Sequence, residues 1–278
     1  MTLNKYLKTN QQVWDEWATI HMSETSDYDV AAFKAGQKGI TPNIPDDIGS
    51  VEGKSILHLQ CHFGMDSLMW TRQGAMVTGV DFSSSAIQGA RALNNELGLN
   101  ATFVEADIYS LPEALAGQFD IVMTYFGTIV WLPDLKRWAE VIAHFLKPGG
   151  FFYIADTHPF AHILAPEGDR PKPDLCLPYF TGGQAERYED GSGTYADPDA
   201  KTENNVTYEW THTMADIINS LVEAGLDIKY LHEFAYSFYN MYYYHDQSLM
   251  KEDDQGWWHL SKDPIKLPLM FSLMATKP

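Results

Sequence analysis

An α/β fold, with a mostly parallel sheet carrying helices on both faces, is predicted by three observations. Residues 55–81 read as strand, turn, helix, strand, and strand-like and helical segments keep alternating after them. The alternation lapses twice, in long aromatic-rich stretches at about 160–206 and 235–266. A sheet built from strand–helix–strand units places its ligands at the carboxyl ends of its strands.

The first unit sets the pattern. Ser55–Leu59 carries Ile56, Leu57 and Leu59, an apolar run short enough for a buried strand and too short for a solitary helix. Gln60-Cys61-His62-Phe63-Gly64 turns the chain, Ser67, Leu68 and Trp70 begin a helical pattern, and Gly74 stops it. Ala75–Val80 then delivers Asp81 to a second carboxyl end. An acid there can accept hydrogen bonds from a ribose; with Ser83, Ser84 and Ser85 following, Asp81 can equally cap the next helix. A dinucleotide fingerprint needs glycines where the backbone nears a pyrophosphate, yet Gln60 and His62 stand there and only Gly64 remains. S-adenosylmethionine, which has no phosphates, asks less of that turn.

The remaining elements follow in order. Tyr6–Met22 spaces Tyr6, Val13, Trp14, Trp17 and Ile20 as a helix does, a stripe that fits core packing, and a turn-rich connector at Asn43–Gly49 leads into the first strand. Ser85–Gly98 reads as a helix and Ala101–Ala106 as a strand ending at Asp107. Phe119–Thr124 is a fourth strand, Leu135–Leu146 a helix, Phe151–Ala155 a fifth strand, and Thr213-Met214-Ala215-Asp216 a capping box opening a helix that Gly225 stops. Leu226–Phe234 and Leu267–Thr276 complete seven strands. In the first long stretch a short hairpin is expected around Glu189-Asp190-Gly191. The rings of both stretches, among them Tyr195, Tyr236, Tyr243, Tyr244 and Trp257, fit a roofed small-molecule pocket or an oligomer interface.

From Ile56 to Pro159 the chain resembles the class I S-adenosylmethionine-dependent methyltransferases. The landmarks are HLQCHFGMDS, TGVDFSSSAI, VEADIY, FDIVMTYFG and LKPGGFFYIADTHP, and the branch is the one whose first motif reads LHLQCHFG where most relatives have LDLGCGTG. The resemblance implies a seven-stranded Rossmann-like sheet, S-adenosylmethionine as cofactor and S-adenosylhomocysteine as product. It implies an amino-terminal lid at about 1–50, with Trp14, Trp17 and His21 near the ligand, on a single methyltransferase domain at 51–278. It places Gln60, His62, Gly64, Asp81, Phe82, Asp107, Ile108 and Tyr125 around the cofactor, with Asp107 reaching the adenine amine or merely capping a turn. His58 stands where the family motif usually begins with an acid, so that contact does not carry over. His158, Tyr125 and His21 are the candidates to orient or deprotonate an acceptor in an in-line displacement, with His158 open to a structural reading as well.

Composition narrows the classes. The net charge of −18 argues against a nucleic-acid partner, and no apolar run approaches the roughly 20 residues of a membrane span. Two well-separated cysteines, Cys61 and Cys176, point to a reducing cytoplasm rather than a disulfide framework. His58, Cys61 and His62 are metal-ligand types, but His58 and Cys61 would point to opposite sides of a strand and no second cluster has zinc spacing, so no metal is expected. A monomer or homodimer acting on a small molecule is expected; the rival classes are a nicotinamide-dependent oxidoreductase and a non-catalytic cofactor-binding protein.

Overall fold

The structure, a computed structural model of the chain, describes residues 3–37, 44–166, 173–175, 177–189, 191–242, 247–261 and 266–278. Asn43, Cys176, Asp190, Tyr243, Tyr244 and His245, named above or of the same residue types, lie outside them. The helices are α1 (Leu3–His21), α2 (Val30–Lys34), α3 (Ile44–Ile48), α4 (Met65–Arg72), α5 (Ser84–Glu96), α6 (Leu111–Ala114), α7 (Leu135–Phe145) and α8 (Met214–Glu223). The strands are β1 (Ser55–Leu59), β2 (Met76–Asp81), β3 (Thr102–Glu105), β4 (Phe119–Tyr125), β5 (Leu146–Thr157), β6 (Leu164–Pro166), β7 (Pro173–Leu175), β8 (Glu186–Glu189), β9 (Val206–Glu209), β10 (Asp227–Phe234), β11 (Met250–Glu252), β12 (Trp258–Leu260) and β13 (Met270–Thr276).

Seven of these strands make one sheet in the order β10-β13-β5-β4-β1-β2-β3. Strands β1 to β5 pair in parallel, while β13 runs antiparallel to both β5 and β10. Met270 lies opposite Thr157 on one side and Phe234 on the other, so the ends of β5 and β10 are level. Every loop after a parallel strand therefore emerges on one edge.

Period-two alternation divides the apolar residues between two layers. Leu57, Leu59, Val122, Phe152, Ile154 and Phe271 pack against α7 and α8 through Trp138, Phe145, Ile217 and Leu221. Ile56, Ile121, Met123, Tyr125 and Tyr153 form the opposite layer with Trp70 of α4. Helix starts follow side-chain chemistry: Ser83 Oγ accepts the Ala86 amide of α5, Asp134 accepts that of Arg137 in α7, and α8 carries the expected Thr213–Asp216 capping box.

Two local expectations need correction. Among the described residues no short hairpin closes near Glu189: β8 does end there, but its partner is β9, 17 or more residues on. The fifth strand, expected at Phe151–Ala155, runs from Leu146 to Thr157 and so takes in Lys147–Gly150, where Gly149 donates to the Lys277 carbonyl and Lys277 to the Gly150 carbonyl.

Candidate functional site

The turn after β1 is held in left-handed conformation at three places. Gln60 has φ 54°, His62 φ 52° and Gly64 φ 80°. Residues with a Cβ adopt this region at a cost of about 1 kcal/mol each, so the turn keeps a glycine-type path although two of its residues are not glycine. Neighbouring contacts hold it there. Gln60 Nε2 donates to the Thr128 carbonyl at 2.9 Å, tying the turn to the loop after β4. The His62 amide donates to Asp81 Oδ2 at 2.9 Å, tying it to the end of β2. Gly64 is required for packing: a Cβ there would lie 2.6 Å from the Phe103 ring.

Asp81 is buried, and its second oxygen accepts the Ser83 amide at 2.9 Å. Burial pushes its carboxyl up to about 6 against the opposing pull of these amides. Ser83, rather than Asp81, caps α5, and Asp15 of α1 reinforces that end by accepting from Ser83 Oγ (2.7 Å) and the Ser85 amide (3.1 Å). The Phe82 carbonyl accepts from Gln11 Nε2. Asp107 is half-buried at the end of β3, accepting the Tyr109 amide, while Ile108 packs into the α7 layer.

Over this turn lies α1. Its Asn10 exchanges two hydrogen bonds with the backbone of Tyr208 in β9, and its Glu16 accepts the amides of Glu203 and Asn204. So anchored, it presents Trp14, Trp17 and His21 to the turn. Trp14 packs edge-on against His62 and Trp131, both at 5.3 Å between centroids. His21 Nδ1 and His62 Nε2 are 2.9 Å apart. Tyr195, from the first long stretch, packs on His21 at 4.7 Å and meets Tyr28 hydroxyl to hydroxyl at 2.6 Å. The amino-terminal segment and residues 194–197 thus share one roof, joined also by the Asp27 amide on the Ala196 carbonyl and Thr25 Oγ1 on Asp197.

Burial lowers the affinity of both histidines for protons, bringing His21 down to about 3. Both rings are neutral at pH 7, so one donates and the other accepts. Four buried side-chain polar atoms without a hydrogen-bond partner among the described residues cluster here: Trp17 Nε1, His21 Nε2, Gln60 Oε1 and His62 Nδ1. Buried polar atoms are otherwise nearly always satisfied, so their concentration at this turn is unusual.

The three candidates for acid–base work are not brought together. Tyr125 points into the layer beneath α4, where its hydroxyl accepts from Trp70 Nε1 at 2.7 Å and its ring stacks on His58. His158 is buried at the end of β5, two strands or about 10 Å from β1. Its Nδ1 accepts the Phe160 amide at 3.0 Å, and Nε2 lies 2.9 Å from Glu233 Oε1, out of line for a good hydrogen bond. Burial lowers its pKa and Glu233 opposes the shift. Glu233 lines a cavity of about 330 Å³ with Tyr236, His259 and Lys266 of the second long stretch.

One organising residue carries no role in the sequence reading. Asp156, buried just before the end of β5, accepts the amides of Gly127 (2.6 Å) and Thr157 (2.7 Å) at Oδ1, and those of Thr128 (2.9 Å) and Ile129 (3.1 Å) with the Thr128 hydroxyl (3.0 Å) at Oδ2. It fixes the loop on which Gln60 leans. A buried acid ending a strand opposite a Gly-Thr loop was the available signal.

Comparison with known proteins places this geometry. Residues 56–150 match a family described as a methyltransferase domain. Two solved structures similar in shape are an S-adenosylmethionine-dependent methyltransferase from Mesorhizobium loti and one from Clostridium acetobutylicum. The first has a TM-score of 0.56 at 19% identity, covering 82% of this chain and 93% of that one; the second 0.54 at 14%, covering 95% and 99%. This chain has the class I methyltransferase fold. Among curated relatives, the ubiquinone biosynthesis O-methyltransferase of Erwinia tasmaniensis is 34% identical over 115 residues, 41% of this chain and 47% of that protein. That of Photorhabdus laumondii is 32% identical over 119 residues, 42% and 49%. The chain spans about half the length of the curated relatives it matches. No helix among the described residues is long and apolar enough to cross a membrane, and no group of three or more His, Cys, Asp or Glu among them could hold a metal ion.

Proposed function

We propose that this protein transfers the methyl group of S-adenosylmethionine to a small-molecule acceptor. The observation that carries the proposal is the turn at 60–64: its left-handed backbone, its amide bond to Asp81 and the unpartnered polar atoms around it fit a nucleoside bearing an amino acid. Asp81 would accept from the ribose, Asp107 from the adenine amine, and Trp14, Gln60, His62 and His21 would enclose the amino-acid end. The His62 ring beside the turn leaves little room for a pyrophosphate, which disfavours a nicotinamide dinucleotide.

Bound there, the cofactor supplies an activated methyl group on a sulfonium. The chain's own contribution is positioning and exclusion of water. Asp156 holds residues 127–129 at the edge where an acceptor would approach, and the α1 roof shuts solvent from the turn. In the tautomer its Nδ1 contact requires, His158 carries its proton on Nε2, the nitrogen that faces Glu233, which leaves it no free lone pair for a second proton. We therefore read His158 and Tyr125 as positioning residues, and the acceptor as one that needs little deprotonation. The net charge of −18 and the sparse cysteines support action on a small molecule in the cytoplasm. Incubation with labelled S-adenosylmethionine and a panel of small nucleophiles, read as S-adenosylhomocysteine release, tests the activity; no release with cofactor bound would leave a non-catalytic binding protein.

A further inference from the structure

The ribbon of β8 and β9 breaks a rule of strand pairing. Its register sets Glu186 directly opposite Glu209, and like charges so placed repel. The basic residue of the ribbon does not relieve them: Arg187 falls on the other face, where it pairs with Glu189 at 2.6 Å. That face also carries Tyr208, whose ring meets Tyr6 of α1 at 4.3 Å, so the ribbon stands with α1 behind it and its acids toward the end of β5. Glu186 is half-buried and accepts the Tyr188 hydroxyl at 2.8 Å and the Thr211 hydroxyl at 3.3 Å. Both bonds fall on Oε2, which leaves Oε1 without a partner among the described residues.

Across from Glu186 stands His162, in the short 3-10 turn that follows β5. His158 and His212 nearby are engaged, the first by the Phe160 amide and the second by the Leu132 carbonyl at 2.7 Å. The His162 ring makes no hydrogen bond among the described residues. Burial lowers its pKa against the pull of Asp156 and Glu186, so the ring is neutral at pH 7 and keeps a bare nitrogen. Tyr239 of the second long stretch closes the far side, beside Thr157 and within electrostatic reach of Asp156 and Glu209. Asp156 holds residues 127–129, and the Thr128 carbonyl takes the Gln60 bond, so this space adjoins the turn at 60–64. Resting on the methyl-transfer reading above, we propose that the space between His162, Glu186 and Tyr239 is the acceptor site and that it takes an amine.

An amine attacks as the neutral molecule. Positive charge leaves sulfur for nitrogen as the methyl group moves, and carboxylates beside the nitrogen stabilise that charge. A phenolate or carboxylate acceptor would enter as an anion against the same groups. An amine that arrives as its ammonium form gives a proton to the bare His162 nitrogen, and its lone pair then forms the bond from nitrogen to the methyl carbon. The bond from carbon to sulfur breaks with its electron pair left on the thioether, and His162 returns the proton to water.

Calorimetric titration of the full chain, loaded with S-adenosylhomocysteine, with benzylamine, benzyltrimethylammonium and phenylacetate separates charge from hydrogen bonding. Wild-type protein should bind benzylamine at least about tenfold more tightly than phenylacetate. Glu186→Gln should bring that preference within about threefold by weakening both cations. His162→Phe should weaken benzylamine several-fold and leave benzyltrimethylammonium, which has no N–H to donate, within about twofold. Thermal melts identify any variant that fails to fold, and the wild-type preference stands as a test without them. Phenylacetate bound as tightly as benzylamine, no saturable benzylamine binding up to about 10 mM, or an unchanged preference in folded Glu186→Gln overturns the amine site. A chain that takes up no S-adenosylhomocysteine overturns the cofactor reading instead, and the same titrations on the unloaded chain still decide the preference for a cation.

Discussion

Replacing Asp156 by Asn should destabilise the protein far more than its modest change in shape suggests. Oδ1 accepts two amides, from Gly127 and Thr157; Oδ2 accepts two amides and the Thr128 hydroxyl. An Asn amide can satisfy only one of these sides, because its nitrogen is itself a donor. In the less costly orientation the nitrogen faces the Gly127 and Thr157 amides, leaving two buried N–H groups unpaired at about 1–3 kcal/mol each. The three bonds that remain lose the assistance of the charge. The sum is about 3–6 kcal/mol, or a fall in Tm of roughly 6–12 °C at about 2 °C per kcal/mol for a chain of this size. Urea unfolding followed by tryptophan fluorescence measures it directly. A loss under about 1 kcal/mol would mean that the loop at 127–129 holds its shape without Asp156, and the positioning role given to that residue would fall.

Tyr125→Phe strands the buried Trp70 N–H and should cost about 1–3 kcal/mol of stability while kcat for methyl transfer stays within about twofold; a large loss of turnover at unchanged stability would restore Tyr125 as a catalytic residue. Gly64→Ala should be destabilising by more than about 2 kcal/mol in the same unfolding assay, since its Cβ would overlap Phe103 in a left-handed position. Between pH 6.5 and about 3 the unfolded chain binds protons at His21 and His58 that the folded chain does not, so stability falls on acidification. From pH 7 to 5 those two residues together remove about 4 kcal/mol, and Asp81, protonated in the fold below about 6, returns about 1. Urea titrations at the two pH values check the sign and size. Cofactor affinity should also weaken as pH falls through about 6, where Asp81 loses its charge, and this dependence should vanish in Asp81→Asn.

The sheet was legible because its strands are short apolar runs between turn residues, and β1, β2, β4, β10 and β13 lie within about three residues of where the pattern puts them. Caps were legible where side chain and backbone are neighbours, as at Thr213–Asp216. What stayed hidden depends on contacts between distant segments. The β8–β9 pairing looked like a local hairpin because sequence pattern carries no information on a partner strand 17 residues away. Trp14 and His21 were placed near the turn by resemblance, but their link through Tyr195, Asn10 and Glu16 needed the fold. Tyr125 and His158 are polar residues at strand ends, and nothing in their spacing separates a side chain facing a cleft from one that serves a buried Trp70 or Phe160.

The central claim is that the turn at 60–64 and Asp81 hold S-adenosylmethionine. Calorimetric titration of the wild-type chain and of Asp81→Ala with S-adenosylmethionine tests it most directly. Saturable binding at one site, weakened tenfold or more in Asp81→Ala with the fold intact, is the expected result. Absence of binding in folded wild-type protein would contradict the claim and reduce the methyltransferase reading to one of fold alone.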